Sequence, residues 1–393
     1  MHTVSMHLRQ LSPEERRKYL EKELCADLSA VSIDPMKLGD ADQKNCEQMF
    51  GHVPIPIGYA GPLPVTLSSG ECIEAHLPLA TTEGALIASI NRGCKAVRLS
   101  GAVKTEAKYH GITRSIAMKI RNQTLESRNT SEMKTVEIQK HANEWQGVGE
   151  ATSSHLKIVK YDIDTHEDLL FLTIYADTDE AMGMNMVTIA AEAIGKWMEE
   201  HFDLQFITVA GNVDSDKKPS VRTRDRGRGY EVTATATISE AIIRSVLKTT
   251  PEVLLEVAHA KLEVGSEIAG ALGKNCHAAN IIAALYLATG QDIAHVVEGS
   301  LTNTIFSLHS SSVSIAVRIP ALLVGIRGGG TGLPAQSQAL RLLLSSLSYN
   351  LSPAKRLAEI IGAAVLAGEL SLLAAQASHT LARSHQDLAR TRI

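Results

Sequence analysis

The period of hydrophobic and polar positions changes several times along the chain, and its clearest rhythm lies between residues 114 and 210. Ser115–Ile120 reads as a strand and Glu132–Glu144 as a helix. Leu156–Ile163 and Leu169–Ala176 read as a strand pair across an acidic turn. Glu180–His201 reads as a long helix, and Leu204–Val209 as a closing strand. Strand, helix, two strands, helix, strand is the order of the split, ferredoxin-like motif, so this stretch predicts a small module with its own sheet.

The flanks read differently. Ser12-Pro13-Glu14-Glu15 is a helix start, with Ser as cap, Pro at the first position and Glu three residues on. The density of Pro and Gly in Val53–Val65 argues against long regular elements there. A helix is expected from about Thr82 to Ser100, with Glu83 in its first turn. Glu231–Ile238 alternates as a strand should, and Ser239-Glu240 opens a helix. From there the chain is rich in Ala, Leu and Gly, which predicts closely packed helices in a large domain. Ser352-Pro353 starts the last long helix, and the polar tail that follows is expected to be mobile. Ile360–Ala377 is the most apolar stretch, but Gly362, Gly368, Glu369 and Gln376 interrupt it, so a buried helix is expected rather than a span.

Composition narrows the function. With 393 residues the chain has room for two or three domains. A net charge of −4 does not suit a nucleic-acid partner, and 4% aromatic residues leave little for base stacking. Cys25, Cys46, Cys72, Cys94 and Cys276 are odd in number and widely spaced, with no Cys-x-x-Cys. That points away from disulfides or a metal centre and towards a reducing cytoplasm. The N-terminal residues lack the apolar run of a signal peptide.

Five segments carry residue types suited to chemistry, each with an ordinary alternative. In Ala80–Ala96, Glu83 reads as either a helix-dipole carboxylate or an acid, and Asn91, Arg92 and Lys95 form a basic cluster suited to phosphate. In Gly211–Ser220, Lys217 and Lys218 read as a solvated turn or as cations that stabilise an oxyanion. Met182, Met184 and Met186 read as core, although Gly183 between them allows close approach of a ligand. His277 and Asn280 share one helix face, and Asp292 reads as a cap or as a paired carboxylate. Arg327–Gly332 offers a run of backbone N–H groups, but its spacing is not a dinucleotide fingerprint.

Together these segments resemble the catalytic region of the class I HMG-CoA reductases, from about Cys46 to His385. ATTEG (Ala80–Gly84), NRGCKA (Asn91–Ala96), AMGMNM (Ala181–Met186), DKKP (Asp216–Pro219), HAAN (His277–Asn280), GQD (Gly290–Asp292), GGGT (Gly328–Thr331) and AGELSL (Ala367–Leu372) stand in family order. Pro54–Leu63 also matches. Glu47–Gly51 stands where the family has its dimerisation segment and departs at three of five positions.

The resemblance implies an α+β fold: an N-terminal helical segment (1–50), a large helix-rich domain around a central helix (51–113 and 220–375), an inserted ferredoxin-like nucleotide-binding domain (114–210), a catalytic loop (211–219) and a mobile tail (376–393). It implies reduction of HMG-CoA to mevalonate and free CoA with two NADPH, in a homodimer or homotetramer whose active sites lie between subunits. Lys217 would neutralise the oxyanion, Glu83 would protonate it, and Asp292 would stand beside both and keep Glu83 protonated. His385 would protonate the leaving thiolate. Ser89, Asn91 and Arg92 would hold CoA, Arg114 and Lys218 the HMG carboxylate, with His277 and Asn280 in the same pocket. Ser154, His155, Glu180, Met182, Gly183, Met184, Asn185, Gly328, Gly329 and Gly330 would hold the nucleotide.

Three positions depart from the family pattern. Glu180 replaces an Asp, Ser154-His155-Leu156 lacks the arginine expected near the adenosine phosphate, and Ala210 replaces a serine. NADH therefore stays beside NADPH as the possible donor. Two other functions follow from the same residues: a catabolic enzyme oxidising mevalonate with NAD, and a CoA-thioester-binding paralogue without catalysis. No metal and no membrane contact are expected.

Overall fold

The computed structural model describes residues 8, 10–121, 130–345 and 350–378. Its central feature is β3 (Val103–Ile120), a strand shared by two sheets. The first half of β3 pairs with β1 (Ile57–Thr66) in parallel and with β7 (Gly229–Ser239) in antiparallel fashion. With β2 (Cys72–Ala80), β8 (Asn303–His309) and β9 (Ser312–Leu322) they form a sheet of order β2-β1-β3-β7-β9-β8.

The register of β3 shifts between Tyr109 and Gly111, and there the strand passes into the second sheet. Beyond this point it pairs with β5 (Leu169–Asp177) and β6 (Leu204–Thr208), while β4 (Lys157–His166) pairs with β5. The order β4-β5-β3-β6, all antiparallel, is that of the ferredoxin-like motif. The small unit thus has its expected strands, but its first strand begins inside the large sheet, at Val103 rather than Ser115.

The helices follow local rules. In α1 (Pro13–Leu24) the Ser12 hydroxyl accepts from Glu15 N, and the Glu15 carboxylate accepts from Ser12 N at 2.7 Å, closing the expected capping box. α2 (Leu86–Ser100) begins four residues later than its pattern suggested. α3 (Thr130–Lys140) and α4 (Ala142–Glu150) stand where one helix was expected. α5 (Met184–His201) covers the small sheet, and α6 (Ala278–Thr289) borders the large one.

α7 (Pro353–Ala377) is the central helix of the large unit. Its most apolar window has a mean hydropathy of 1.8 and is 94% buried, so it is long enough to cross a membrane yet is enclosed by protein. It packs against α2, β3, β7 and β9. At the crossing with α2, a Cβ on Gly93 would clash with the Ala367 carbonyl oxygen, so only glycine permits this approach.

Two expectations fail in the flanks. Val53–Val65 contains most of the ten-residue β1 despite its prolines. Pro62 falls at the register shift between Ala60 and Leu63, where no ladder N–H is needed. The region after residue 239 is not wholly helical, because it holds the β8–β9 hairpin, with Val313, Ile315, Val317 and Ile319 buried on one face of β9.

Among the described residues two large hydrophobic cores result. One lies between the large sheet, α2, α6 and α7. The other lies between the small sheet, α4 and α5, and is closed by Ala321 and Leu323 of the large unit.

Candidate active site

A cleft of about 690 Å³ opens where α5 begins. Gly183 caps α5 with φ 83° and offers no side-chain acceptor, so the first-turn amides of α5 face outward. A Cβ there would lie 2.4 Å from Thr178 Cβ. An isolated bridge, Ala181 to Arg327, sets the turn Gly328–Gly330 beside this helix end. Met182, Gly183, Met184, Asn185 and all three turn glycines line the cleft. A long helix N-terminus and a glycine turn with free amides together suit a pyrophosphate, so the site fits a dinucleotide.

The loop 211–219 forms another wall. Gly211 N donates to Ser115 O at 2.6 Å, which anchors the loop to the small sheet. Asn212, Ser215 and Lys217 all have positive φ, from 57° to 64°. Each such non-glycine residue costs about 1–3 kcal/mol and persists only where its surroundings hold it. For Lys217 the hold is a hydrogen bond from its amide to Glu298 Oε1, 2.7 Å long. Its Nζ lies 2.9 Å from Asp292 Oδ2.

Asp292 has both of the roles its position suggested. Its Oδ1 accepts from Ala294 N at 3.1 Å, capping the turn Ile293–His295, while Oδ2 holds the lysine. Burial pushes its carboxyl up, but Lys217, the Ala294 amide and His295 outweigh this and hold it below the usual range.

Behind the loop lies a buried ionic group. Arg228 is 1% exposed. Its Nη1 donates to Glu298 Oε1 at 2.7 Å, Nη2 to Asp216 Oδ1 at 2.8 Å, and Nε to Thr113 Oγ1 at 2.8 Å. Nη2 also lies 3.2 Å from the Met184 sulfur, at the start of α5. His295 is fully buried, with Nδ1 3.3 Å from Glu298 Oε1. Asp216, His295 and Glu298 have the donor types of a metal site, but Asp216 and Glu298 already hold the Arg228 guanidinium. Burial raises the Asp216 carboxyl, and Arg228, with His295 and Arg114, more than reverses it. These residues escaped the sequence reading. Asp292, His295 and Glu298 do recur every third residue, a signal for one shared helix face. Nothing in RDRGRG marks Arg228 as the buried arginine.

A second cavity, of about 410 Å³, holds Glu83, Ser89, Arg92, His277 and Asn280. Glu83 stands in the loop before α2, not in its first turn, and its carboxylate accepts from Asn280 Nδ2 at 2.6 Å. Ser89 Oγ and Arg92 Nε both donate to Ser371 Oγ of α7. His277 caps α6, and its ring Nε2 lies 3.0 Å from Gly368 O. Glu369 of α7, fully buried, accepts from the amides of Cys276 and His277 and from Thr304 Oγ1, which positions this helix end.

The structure thus separates residues that the sequence placed in one site. Lys217, Asp292, Arg114, Met184 and the glycine turn line the first cleft; Glu83 and Asn280 line the second cavity. Arg114 donates to Thr188 Oγ1 at 2.9 Å and 3.0 Å, and to Asp216 at 3.3 Å. Lys218 is exposed, with Nζ donating to Asp216 O.

Four expected ligands are placed otherwise. Asn91 faces β1, bonding Tyr59 O and Gly61 N. Glu180 turns from the cleft to accept from Ala354 N at 2.7 Å, where it caps α7. Thr152 and Ser153 line the cleft instead of Ser154 and His155. His155 is exposed and pairs with Asp179, Nδ1 to Oδ2 at 3.2 Å. His385 lies outside the described residues.

Residues 12–390 match the profile of the hydroxymethylglutaryl-coenzyme A reductase family. The 3-hydroxy-3-methylglutaryl-coenzyme A reductase of Pyrococcus horikoshii is 42% identical, covering 97% of this chain and 92% of its own. That of Methanothermobacter thermautotrophicus is 38% identical, covering 95% and 92%. Among solved structures, a class II enzyme of Streptococcus pneumoniae bound to NADPH superposes with a TM-score of 0.69 at 20% identity, covering 94% of this chain and 98% of that one. On the family profile and these identities, the chain belongs to the hydroxymethylglutaryl-coenzyme A reductase family.

Proposed function

We propose that the chain reduces the thioester of HMG-CoA to mevalonate and free CoA, in two hydride additions, as a class I-type reductase. The observation that carries this reading is the Lys217–Asp292 pair, 2.9 Å apart, lining the same cleft as the open end of α5 and the glycine turn. The nicotinamide dinucleotide, when bound there, supplies the hydride.

Hydride addition to a thioester carbonyl leaves negative charge on oxygen, and Lys217 Nζ is the cation for it. Burial opposes the charge on Asp292, but Lys217 and the Ala294 amide hold its carboxyl below the usual range, so the carboxylate fixes the lysine ammonium in place. Arg114, in the same cleft, is the partner for the substrate's carboxylate. Glu83 is the proton donor. Since it lines a different cavity from Lys217, it reaches the oxyanion from a second copy of the chain, and the proposed unit is a dimer or a multiple of it. Ser89, Arg92, His277 and Asn280 then face the CoA side. His385 is the proposed acid for the leaving thiolate.

Arg327 lines the cleft and is the cation available to a 2′-phosphate, which supports NADPH. The exposed Asp179 carboxylate beside His155 supports NADH instead. The class I assignment rests on the ordered motifs. Five free cysteines suit a reducing compartment.

The test is loss of nicotinamide absorbance with HMG-CoA and either NADPH or NADH. Turnover supports the reading, and none with either donor overturns it. Lys217→Ala should lower kcat by about 10³-fold with unchanged circular dichroism and thioester affinity. A rate within about tenfold of the parent would remove Lys217 from the oxyanion role.

A further inference from the structure

We infer that Glu298, charge-balanced by Arg228, is a positioning residue that holds Lys217 in its working conformation and ties it to the nucleotide end of α5. The inference rests on the oxyanion role of Lys217 given above. Its own ground is geometric. Lys217 sits at φ 58°, a conformation an L side chain seldom adopts. The side-chain acceptor that its amide meets is Glu298 Oε1, at 2.7 Å.

Glu298 is fully buried, in the short helix Val296–Gly299 that follows the Asp292 turn. One element therefore presents Asp292 to the lysine ammonium and Glu298 to the lysine amide. With both ends of the residue held, the ammonium has little freedom to swing.

A buried carboxylate needs a countercharge, and Arg228 supplies it at 2.7 Å from the same oxygen. His295 Nδ1 approaches that oxygen at 3.3 Å. The second terminal nitrogen of Arg228, Nη2, touches Asp216 Oδ1, one residue before Lys217, and the Met184 sulfur, in the first turn of α5. The guanidinium is thus a rigid bar between the helix end suited to the dinucleotide and the backbone that carries the lysine. Planar geometry lets arginine make these contacts at once, which lysine cannot do.

The test separates position from charge and from folding. In Glu298→Ala the amide loses its acceptor, and kcat should fall by about 100-fold, with KM for the thioester and Kd for the nucleotide moved less than about threefold. Glu298→Gln keeps an oxygen for the Lys217 amide, and Asp216 still balances Arg228, so kcat should return to within about fivefold of the parent. If Glu298→Ala does not fold, Glu298→Met fills the same space without an acceptor and should show the same loss. Equal losses in the Gln and Ala (or Met) variants would overturn the inference, because charge balance alone would then be the function. A change confined to KM would overturn it too. An inactive parent protein would instead refute the proposed reaction, so the two failures are distinguishable.

Discussion

Lys217 and Asp292 show how a surface-like turn becomes a fixed ion pair in a cleft. Each is partly exposed, and neither is unusual alone. What sets them apart is that the backbone of one and the carboxylate of the other are held by the same short element, Asp292 to Gly299. The neighbouring Asp214 presents the opposite case. It is 5% exposed, and neither carboxyl oxygen has a hydrogen-bond partner. Burial raises its carboxyl above the usual range against the pull of Arg228 and Arg114. A carboxyl raised on folding binds protons better folded than unfolded, so its contribution to stability falls as pH rises from the unfolded value through the folded one. Asp214→Asn should therefore raise Tm by about 2 °C at pH 8 and change it little at pH 4. Calorimetry at both values checks this. A lower Tm at pH 8 would mean that the two arginines outweigh burial.

Among the elements, the crossing of α2 and α7 is the least tolerant of change. Gly93 brings α2 against the Ala367 carbonyl, and the two helices together carry Ser89, Arg92 and Ser371. Gly93→Ala should destabilise by about 3 kcal/mol and weaken thioester affinity, because the helices must part where those side chains meet. Denaturant titration and a thioester binding curve measure both effects. Unchanged stability would show that α2 can shift freely. The elements also mark where patterning sufficed. The α1 capping box rests on local rules and forms as expected, and the four strands of the small sheet follow the chain order that periodicity suggests. The β8–β9 hairpin departs from the helical expectation although Val313 to Ile319 alternates plainly, since Ala- and Leu-rich flanks carry a helical composition. β1 was missed because proline counts against a strand unless a bulge receives it.

For the whole molecule, the division of site residues between two cavities has a direct consequence. If Glu83 of one copy serves Lys217 of another, each homodimer of Glu83→Gln or Lys217→Ala is inactive. Mixed dimers would regain one intact site out of two. Co-refolding equal amounts should restore about a quarter of parental activity, since half of the dimers are mixed. Activity assays on the mixture, with size-exclusion light scattering, check it. No recovery from a confirmed mixed dimer would place all site residues within one copy.

The one-dimensional pattern determined what depends on neighbours in the chain. Periodicity determined most strands and helices, capping residues determined helix starts, and ordered motifs determined the family. The resemblance also pointed to Lys217, Asp292, Met182 to Asn185 and the glycine turn, which line the first cleft, but not to Thr152 and Ser153, which stand there in place of Ser154 and His155. Only the tertiary structure decided which polar groups meet. Glu180 and Asn91 look like ligands in sequence, yet they bond α7 and β1. Arg228 and Glu298 look like surface charges, yet they meet in the interior behind Lys217. Such pairings join residues 30 to 174 positions apart, and a charge buried by distant packing leaves no local trace.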